Sequence, residues 1–532
     1  MVTSNDRRSV IMAKAYVVGS GIAGLSAAAF LIREGRFDGS DIHVLEEENR
    51  KGGSLDAGGT PAAGYTMRGG RMFELQFRCT YDLLGSIPSL DNPAKSVTED
   101  TFEFHKDFTW SDQARLVDET GQIAEFHSMG FSERDRLELV KCAAMPERLL
   151  DGKRITDCFS PHFFTTSFWF MWCTTFAFNP WHSAVEFRRY LNRFIHLFPT
   201  FDTMSGIYRT RYNQFDSIVR PLLAWLNERH VNFQTGTRVT DLTFAEGRGI
   251  TVTKLHQTRD GRPEEIAVGP DDLVFVTNGS MTANSTLGST DTAPVMDPSR
   301  SAGSWRLWET LALKRPEFGH PAAFTQFVAD SKWESFTVTT KNPSFFELME
   351  KFTGSPAGKG GLITFKSSNW LMTIALNRQP HYREQPGDTF VWWGYGLFPD
   401  KVGNYVPKKM SECTGREILH ELLCHLKFDQ QRDAILDSSI VIPCMMPFIT
   451  SMFLARKRGD RPDVVPSGST NLAFMGQFAE TPDDVVFTVE YSVRTAWEAV
   501  AGLLKLERQP PAVYKGQHDP RVLVHALETM HR

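Results

Sequence analysis

The stretch that most constrains this chain runs from Ala15 to Glu47. The apolar run Tyr16, Val17 and Val18 leads into Gly19, Gly21 and Gly24, spaced G-x-G-x-x-G. A small-residue helical pattern follows from Leu25 to Ile32, and a second alternating run, Ile42 to Leu45, ends in acids. This order predicts a strand, a tight turn, a helix N-terminus and a neighbouring parallel strand. In such a unit Gly19 permits the turn, Gly21 lets backbone approach a pyrophosphate, and Gly24 lets helix and strand pack closely. Ala23 belongs to the same turn. Glu46, about 20 residues further on, stands where a carboxylate meets a ribose hydroxyl. An acid there favours a free 2′-hydroxyl and disfavours a 2′-phosphate. The run Val17 to Ile32 is apolar enough to imitate a secretory signal, but three glycines break it and no small-residue cleavage site follows.

Further pieces of the same domain lie far along the chain. Gly52-Gly53-Ser54 and Gly69-Gly70-Arg71 suit places where backbone passes close to a cofactor. Together with Glu46 they favour FAD over NADP. The run from Asp272 breaks at Asn278-Gly279, and the run from Asn471 ends at Gly476 before a helical pattern, Thr488 to Leu504. These read as parallel strands of one sheet whose loops meet the cofactor at the strands' carboxyl ends. The expected fold is therefore α/β: a discontinuous Rossmann-like FAD-binding domain around a parallel sheet, with inserted substrate-binding and helical lid domains. Residues 10–115, 201–300 and 441–505 are assigned to the FAD-binding domain. Residues 116–200 form a helical, aromatic insertion on the substrate side, 301–440 a substrate-binding domain, and 506–532 a C-terminal helical tail.

At 532 residues the chain can bury a large core in about two or three domains. A net charge of −5 gives no reason to expect a nucleic-acid partner. Forty phenylalanines suggest a large apolar cavity or an aromatic-rich core. Seven cysteines show no C-x-x-C pair and no metal-ligand spacing, so no metal is expected and reduced cytoplasmic thiols are. The longest apolar run, Phe163 to Phe178, carries four threonines and stops at Asn179-Pro180, short of a membrane span. Asn179-Pro180 reads as the start of a helix running through Ile195. On it Glu186, Arg189, Tyr190 and Arg193 share one face, which taken alone reads as solvated. The polar arm Met1 to Arg8 is too short to build a dimer through an N-terminal extension.

Longer strings add specificity. GSGIAGLSAAAFLIREG, GGSLDAGG, RGGR, FAFNPWHSAVEFRRYLNRFIH, YNQFDS, NRQPHY and GQFAETPDDVVFTVEYSVRTA span nearly the whole chain. On these strings the chain resembles the oleate hydratase family, also described as myosin-cross-reactive-antigen proteins. The resemblance implies an FAD-requiring lyase of long-chain unsaturated fatty acids. It implies addition of water across a cis-9 double bond to give a 10-hydroxy acid, without net electron transfer. It places the proton-donating tyrosine at Tyr190 and the carboxylate-holding residues at Gln214, Asn377 and His381. A threonine of that group is replaced by Ala375. The glutamate that the family places after R-G-G-R, and that handles the water, is replaced by Met72, and a thioether cannot act as a base. Glu74 lies nearby in sequence.

The residues themselves leave alternatives open. Flavin-dependent oxidation or double-bond isomerisation of a long apolar substrate would use the same cleft, and a lipid-binding flavoprotein would need no chemistry. Fixing the carboxylate would set which carbon is attacked, with charge assistance if His381 is protonated. Arg189 and Arg193 could ease loss of the Tyr190 proton if they face the same pocket. Cytoplasmic location, peripheral membrane contact for substrate uptake and a monomeric state are the remaining expectations.

Overall fold

The computed structural model describes residues 13–112, 114–124 and 128–531; Met1 to Arg8 lie outside them. Short apolar runs form a five-stranded parallel sheet, ordered Leu472–Met475, Leu273–Thr277, Ala15–Val18, Ile42–Leu45, Asn232–Gln234. Its strands come from four separated parts of the chain, so the α/β reading with a discontinuous parallel sheet holds. The helix Ile22–Arg33 packs against the late helix Val489–Leu504, with the Phe30 and Trp497 rings stacked 4.7 Å apart. Seating of the first helix on its own strand and turn depends on Gly24. A Cβ there would stand 2.0 Å from the Gly19 carbonyl oxygen.

A second, seven-stranded sheet is mostly antiparallel. Its order is Thr286–Leu287, Ser439–Met446, Trp333–Thr340, Phe390–Gly396, Met372–Ala375, Leu362–Phe365, Leu116–Val117. One face buries Phe336, Val338 and Trp392 against the helices Ser344–Thr353 and Gly415–His425. The other face turns toward the dinucleotide domain, where the Thr337 and Thr339 hydroxyls accept hydrogen bonds from the Met67 and Tyr65 amides. The two sheets interleave in sequence more finely than hydropathy indicates. A division at 440 falls inside the strand Ser439–Met446. The pieces 116–200 and 201–300 each lend a two-residue edge strand to the seven-stranded sheet. Strands that short carry no periodicity to read.

The aromatic segment forms two helices, Ser167–Phe176 and Ala184–Arg193. The second does not start at Asn179-Pro180. Ala177 adopts a left-handed conformation that ends the first helix, and the Ser183 hydroxyl caps the second by accepting from the Glu186 amide. It stops at Arg193 and passes into a 3-10 segment, Ile195–Thr200. Its polar face is not solvated: Glu186, Arg189, Tyr190 and Arg193 are all buried.

Candidate active site

The strands Ala15–Val18, Ile42–Leu45, Leu273–Thr277 and Leu472–Met475 all point their carboxyl ends into one cleft. Gly19, Gly21, Ala23, Glu46, Gly53, Ser54, Gly279 and Gly476 line it. Gly21 precedes a helix with no side-chain cap and no acid in its first turn, so the leading N–H groups are free for an anion. A Cβ on Gly21 would clash with no protein atom, its nearest neighbour being the Gly53 Cα at 4.0 Å. That is the signature of a glycine kept for a ligand, whereas Gly24 is kept for packing and lies outside the cleft wall. The Glu46 carboxylate accepts from the Ser20 amide at 2.8 Å, the Ser20 hydroxyl at 2.7 Å and the Glu48 amide at 2.8 Å. It is fastened to the glycine turn and keeps one acceptor site for a hydroxyl. Glu47 and Glu48 line the cleft beside it together with Arg50, Arg68 and Arg238, and Glu47 is ion-paired with Arg238.

Three more residues expected at this cleft, besides Gly24, sit elsewhere. Asn278 is buried behind the wall, with neither side-chain polar atom partnered. Gly70 and Arg71 line a separate, largely apolar chamber. Arg71 nevertheless ties the two spaces together, because its guanidinium donates to the carbonyl of the cleft residue Ser54 at 3.2 Å. Burial lowers that guanidinium to about 10, still a cation at neutral pH. An extended dinucleotide fits this arrangement, with its phosphates at the helix N-terminus and its far end at Arg71.

The chamber brings Met72, Tyr190, Gln214, Asn377 and His381 together. Tyr190 is packed edge-on against Phe176 and Phe178, ring centroids 5.1 and 5.0 Å away, and its hydroxyl donates to the Val486 carbonyl at 2.6 Å. Burial first, and then the Glu186 and Asp484 carboxylates, push the phenol well above the ordinary tyrosine range. Arg189 and Arg193 do not ease loss of its proton. Arg189 is bound by Glu147 at 2.9 Å and Glu480 at 2.7 Å, and Arg193 by Glu74 at 2.8 Å and Asp484 at 3.4 Å. Glu74 lines the chamber, yet both its oxygens are engaged, one by Arg193 and the other by His196 at 3.2 Å and the Gln76 amide at 2.6 Å. It is not a free base for water.

Met72 packs with Trp110, Met204, Leu362, Ala375 and Ile207. The two positions where this chain departs from the hydratase pattern, Met72 and Ala375, therefore share one apolar patch. Sequence separation concealed that they are neighbours. His381 is buried, not a loop histidine facing water, and its Nε2 has no partner. Burial, and secondarily the nearby Arg209 cation, lower it to about 3, so the imidazole is neutral at pH 7 and supplies no charge. Gln214 donates one amide hydrogen to the Gly69 carbonyl at 2.8 Å and keeps the other. Residues that sequence reasoning passed over complete the walls: Thr174, Trp333, Tyr395, Phe487 and Arg209. Of these only Arg209 had a signal, the basic run Arg209-Thr210-Arg211 directly before YNQ.

A family model described as the MCRA family matches residues 12–501. An oleate hydratase of Streptococcus pyogenes serotype M49 (strain NZ131) is 42% identical over 99% of this chain and 91% of its own length. A linoleate hydratase of Lactiplantibacillus plantarum is 36% identical over 91% of this chain and 92% of its own. Among solved structures, an oxidoreductase from Methanosarcina mazei superposes with a TM-score of 0.50 at 12% identity, covering 92% of this chain and 100% of that one. That likeness concerns the fold alone.

Proposed function

Since the chain belongs to the MCRA family, we propose that it is a hydro-lyase adding water across the cis-9 double bond of oleate-like fatty acids. The product is a 10-hydroxy acid, and FAD is required without net redox change. One observation carries the reading: an apolar chamber adjoining the dinucleotide cleft holds a buried tyrosine together with neutral and cationic polar groups. The relatives' names point the same way.

Burial of about 16 methylenes at ~0.8 kcal/mol each is worth roughly 13 kcal/mol before ordering costs of similar size. The tail supplies affinity; the head group sets register. Gln214, Asn377 and His381 offer donors for that head group. FAD would lie along Gly19, Gly21, Glu46, Gly53 and Ser54 toward Arg71, and when bound it supplies structure and site electrostatics. Tyr190 gives its proton to C9 while water attacks C10 in one concerted step, which avoids a free carbocation. The aromatic faces around the phenol share the developing charge. The phenolate left behind recovers a proton from the oxonium of the product. With apolar Met72 on the wall, no separate base is required by this path.

Incubation of purified protein with oleate and added FAD, closed and anaerobic in labelled water, tests the proposal. Product should gain one water carrying the label over many turnovers. Loss of two hydrogens, an unchanged mass with a moved double bond, or obligatory consumption of dioxygen or nicotinamide would reject it.

The reading includes a cytoplasmic monomer that draws substrate from a bilayer. Among the described residues no helix is long and apolar enough to cross a membrane. The C-terminal helix Pro520–Met530 exposes Leu523, Val524 and Leu527, and Val140 is exposed across the same groove. Cosedimentation with anionic vesicles, abolished by Leu523→Ser with Leu527→Ser, checks peripheral contact.

A further inference from the structure

If the chamber binds a fatty acid, as proposed above, a formal positive charge at its head-group end would strengthen the hold on the carboxylate. His381 does not provide it, and the threonine of the family pattern is Ala375. The loop before Gln214 does. Arg209 lines the same chamber, lies close enough to His381 to depress its protonation, and is fixed from two sides. Its guanidinium stacks 4.0 Å over the Trp110 ring and donates to the Gly358 carbonyl. Among the described residues no carboxylate lies within ion-pair distance of it. Asp112 is the acid whose charge acts on it; its Oδ1 accepts from the Ala114 amide at 3.0 Å, its Oδ2 has no partner among the described residues, and burial raises it.

The other cations at this end are held differently. Arg211 is bound by Asp100 at 3.0 Å. Arg378 also lines the chamber, but it rests more loosely on the Phe108 and Phe104 faces, at 5.0 and 5.8 Å, whereas Arg209 is held at 4.0 Å by Trp110 and by the Gly358 carbonyl. Arg209 is half-buried, and the Trp110 face and the Gly358 carbonyl offset only part of what it costs to take a guanidinium from water without a counterion. A planar fork held against an aromatic face, beside an unpartnered imidazole Nε2 and a free amide hydrogen on Gln214, is the donor set for a carboxylate. We propose that Arg209 is the charged anchor of the substrate carboxylate, with neutral His381 and Gln214 as its hydrogen-bonding partners, and that the protein therefore selects free fatty acids over their uncharged analogues.

Calorimetric titration of the flavin-loaded protein with monomeric oleate and with oleyl alcohol, which keeps the tail and lacks the charge, tests this. Wild type should bind oleate the more tightly. Arg209→Gln should lose about 10- to 100-fold on oleate and change less than about twofold on oleyl alcohol. Arg209→Lys keeps the charge without the fork and should lose less, on oleate alone. Melting temperature and flavin content decide which variant is folded. An unchanged oleate-to-alcohol ratio in a folded variant, or wild type that does not discriminate, overturns the assignment. Failure of hydration with the ratio still falling would reject the hydratase reading and leave the anchor standing; hydration with an unmoved ratio would do the reverse.

Discussion

Removing one oxygen atom tests the chemistry most sharply. Tyr190→Phe keeps a ring that already packs between Phe176, Phe178, Phe194 and Phe453, with centroids 5.0–5.6 Å away. The hydroxyl makes a single hydrogen bond, to the Val486 carbonyl, in a fully enclosed place. Deleting it leaves that carbonyl unpaired, which costs about 1–3 kcal/mol of stability. If the phenol is the proton donor, turnover should fall by about 10²-fold or more, equivalent to roughly 2.7 kcal/mol or more of activation free energy. The assay is hydroxy-acid formation from oleate at saturating FAD, scored beside the urea midpoint and flavin content. The two effects separate because a merely structural tyrosine would lose stability without losing kcat at a temperature well below its melting point. A folded, flavin-loaded variant turning over at near-native rate would remove Tyr190 from the mechanism.

The remaining expectations are smaller in scope. Gly21→Val should melt like wild type without cofactor yet bind FAD poorly, because its side chain enters the cleft and not the protein; Gly24→Ala should instead lose structure by colliding with the Gly19 carbonyl oxygen at 2.0 Å. Normal flavin affinity in the valine variant would refute the cradle. His381, lowered to about 3, is protonated more readily in the unfolded chain, so it contributes stability above pH 6.5 that is lost as pH falls, about 2 kcal/mol by pH 5. Glu498, raised to about 7 by burial, acts in the opposite sense over the same range, so the check is the difference between wild type and His381→Gln in urea melts from pH 7 to pH 5, which should shrink by that amount. Met72→Glu places a carboxylate among Trp110, Met204, Leu362 and Ala375; its folded pKa should rise, making the loss of stability greater at pH 8 than at pH 4. Equal losses at both pH values would mean that the patch admits water.

Legibility in the sequence followed the range of the forces involved. Gly19, Gly21, Gly24 and Glu46 were readable because a βαβ unit is local: turn, helix N-terminus and second strand follow within about 30 residues, each with its own steric demand. The edge strands Leu116–Val117 and Thr286–Leu287 were not, since two residues carry no alternation and are held by partners far along the chain. The face bearing Tyr190 misled for a related reason. Charged residues at helical spacing normally face water, but here Glu147, Glu480, Glu74 and Asp484 come from distant segments to neutralise Arg189 and Arg193. His381 shows the same gap, because sequence supplies the imidazole and only packing decides that it stays neutral.

The buried arginines sort by what neutralises them, and that sorting separates scaffold from site. Glu186 would be raised by burial, but Arg461 and Arg456 hold it at about 2, each within 2.9 Å. Arg494 is held by Asp484 at 2.7 Å and Glu490 at 3.3 Å. With Arg189 and Arg193 these pairs make a closed ionic cage behind Tyr190, where removing one partner would strand another charge and cost several kcal/mol. Arg71 and Arg209 are different: both are only half-buried, both line the chamber, and neither has a carboxylate within ion-pair distance among the described residues. The fold can also satisfy a buried guanidinium with neutral acceptors, as Arg115 shows by donating to the Leu362 and Met171 carbonyls and the Thr175 hydroxyl, but Arg71 and Arg209 turn into the chamber. Their counterions are best supplied by what enters the chamber, one at the end where it meets the dinucleotide cleft and one at the end beside Gln214 and His381.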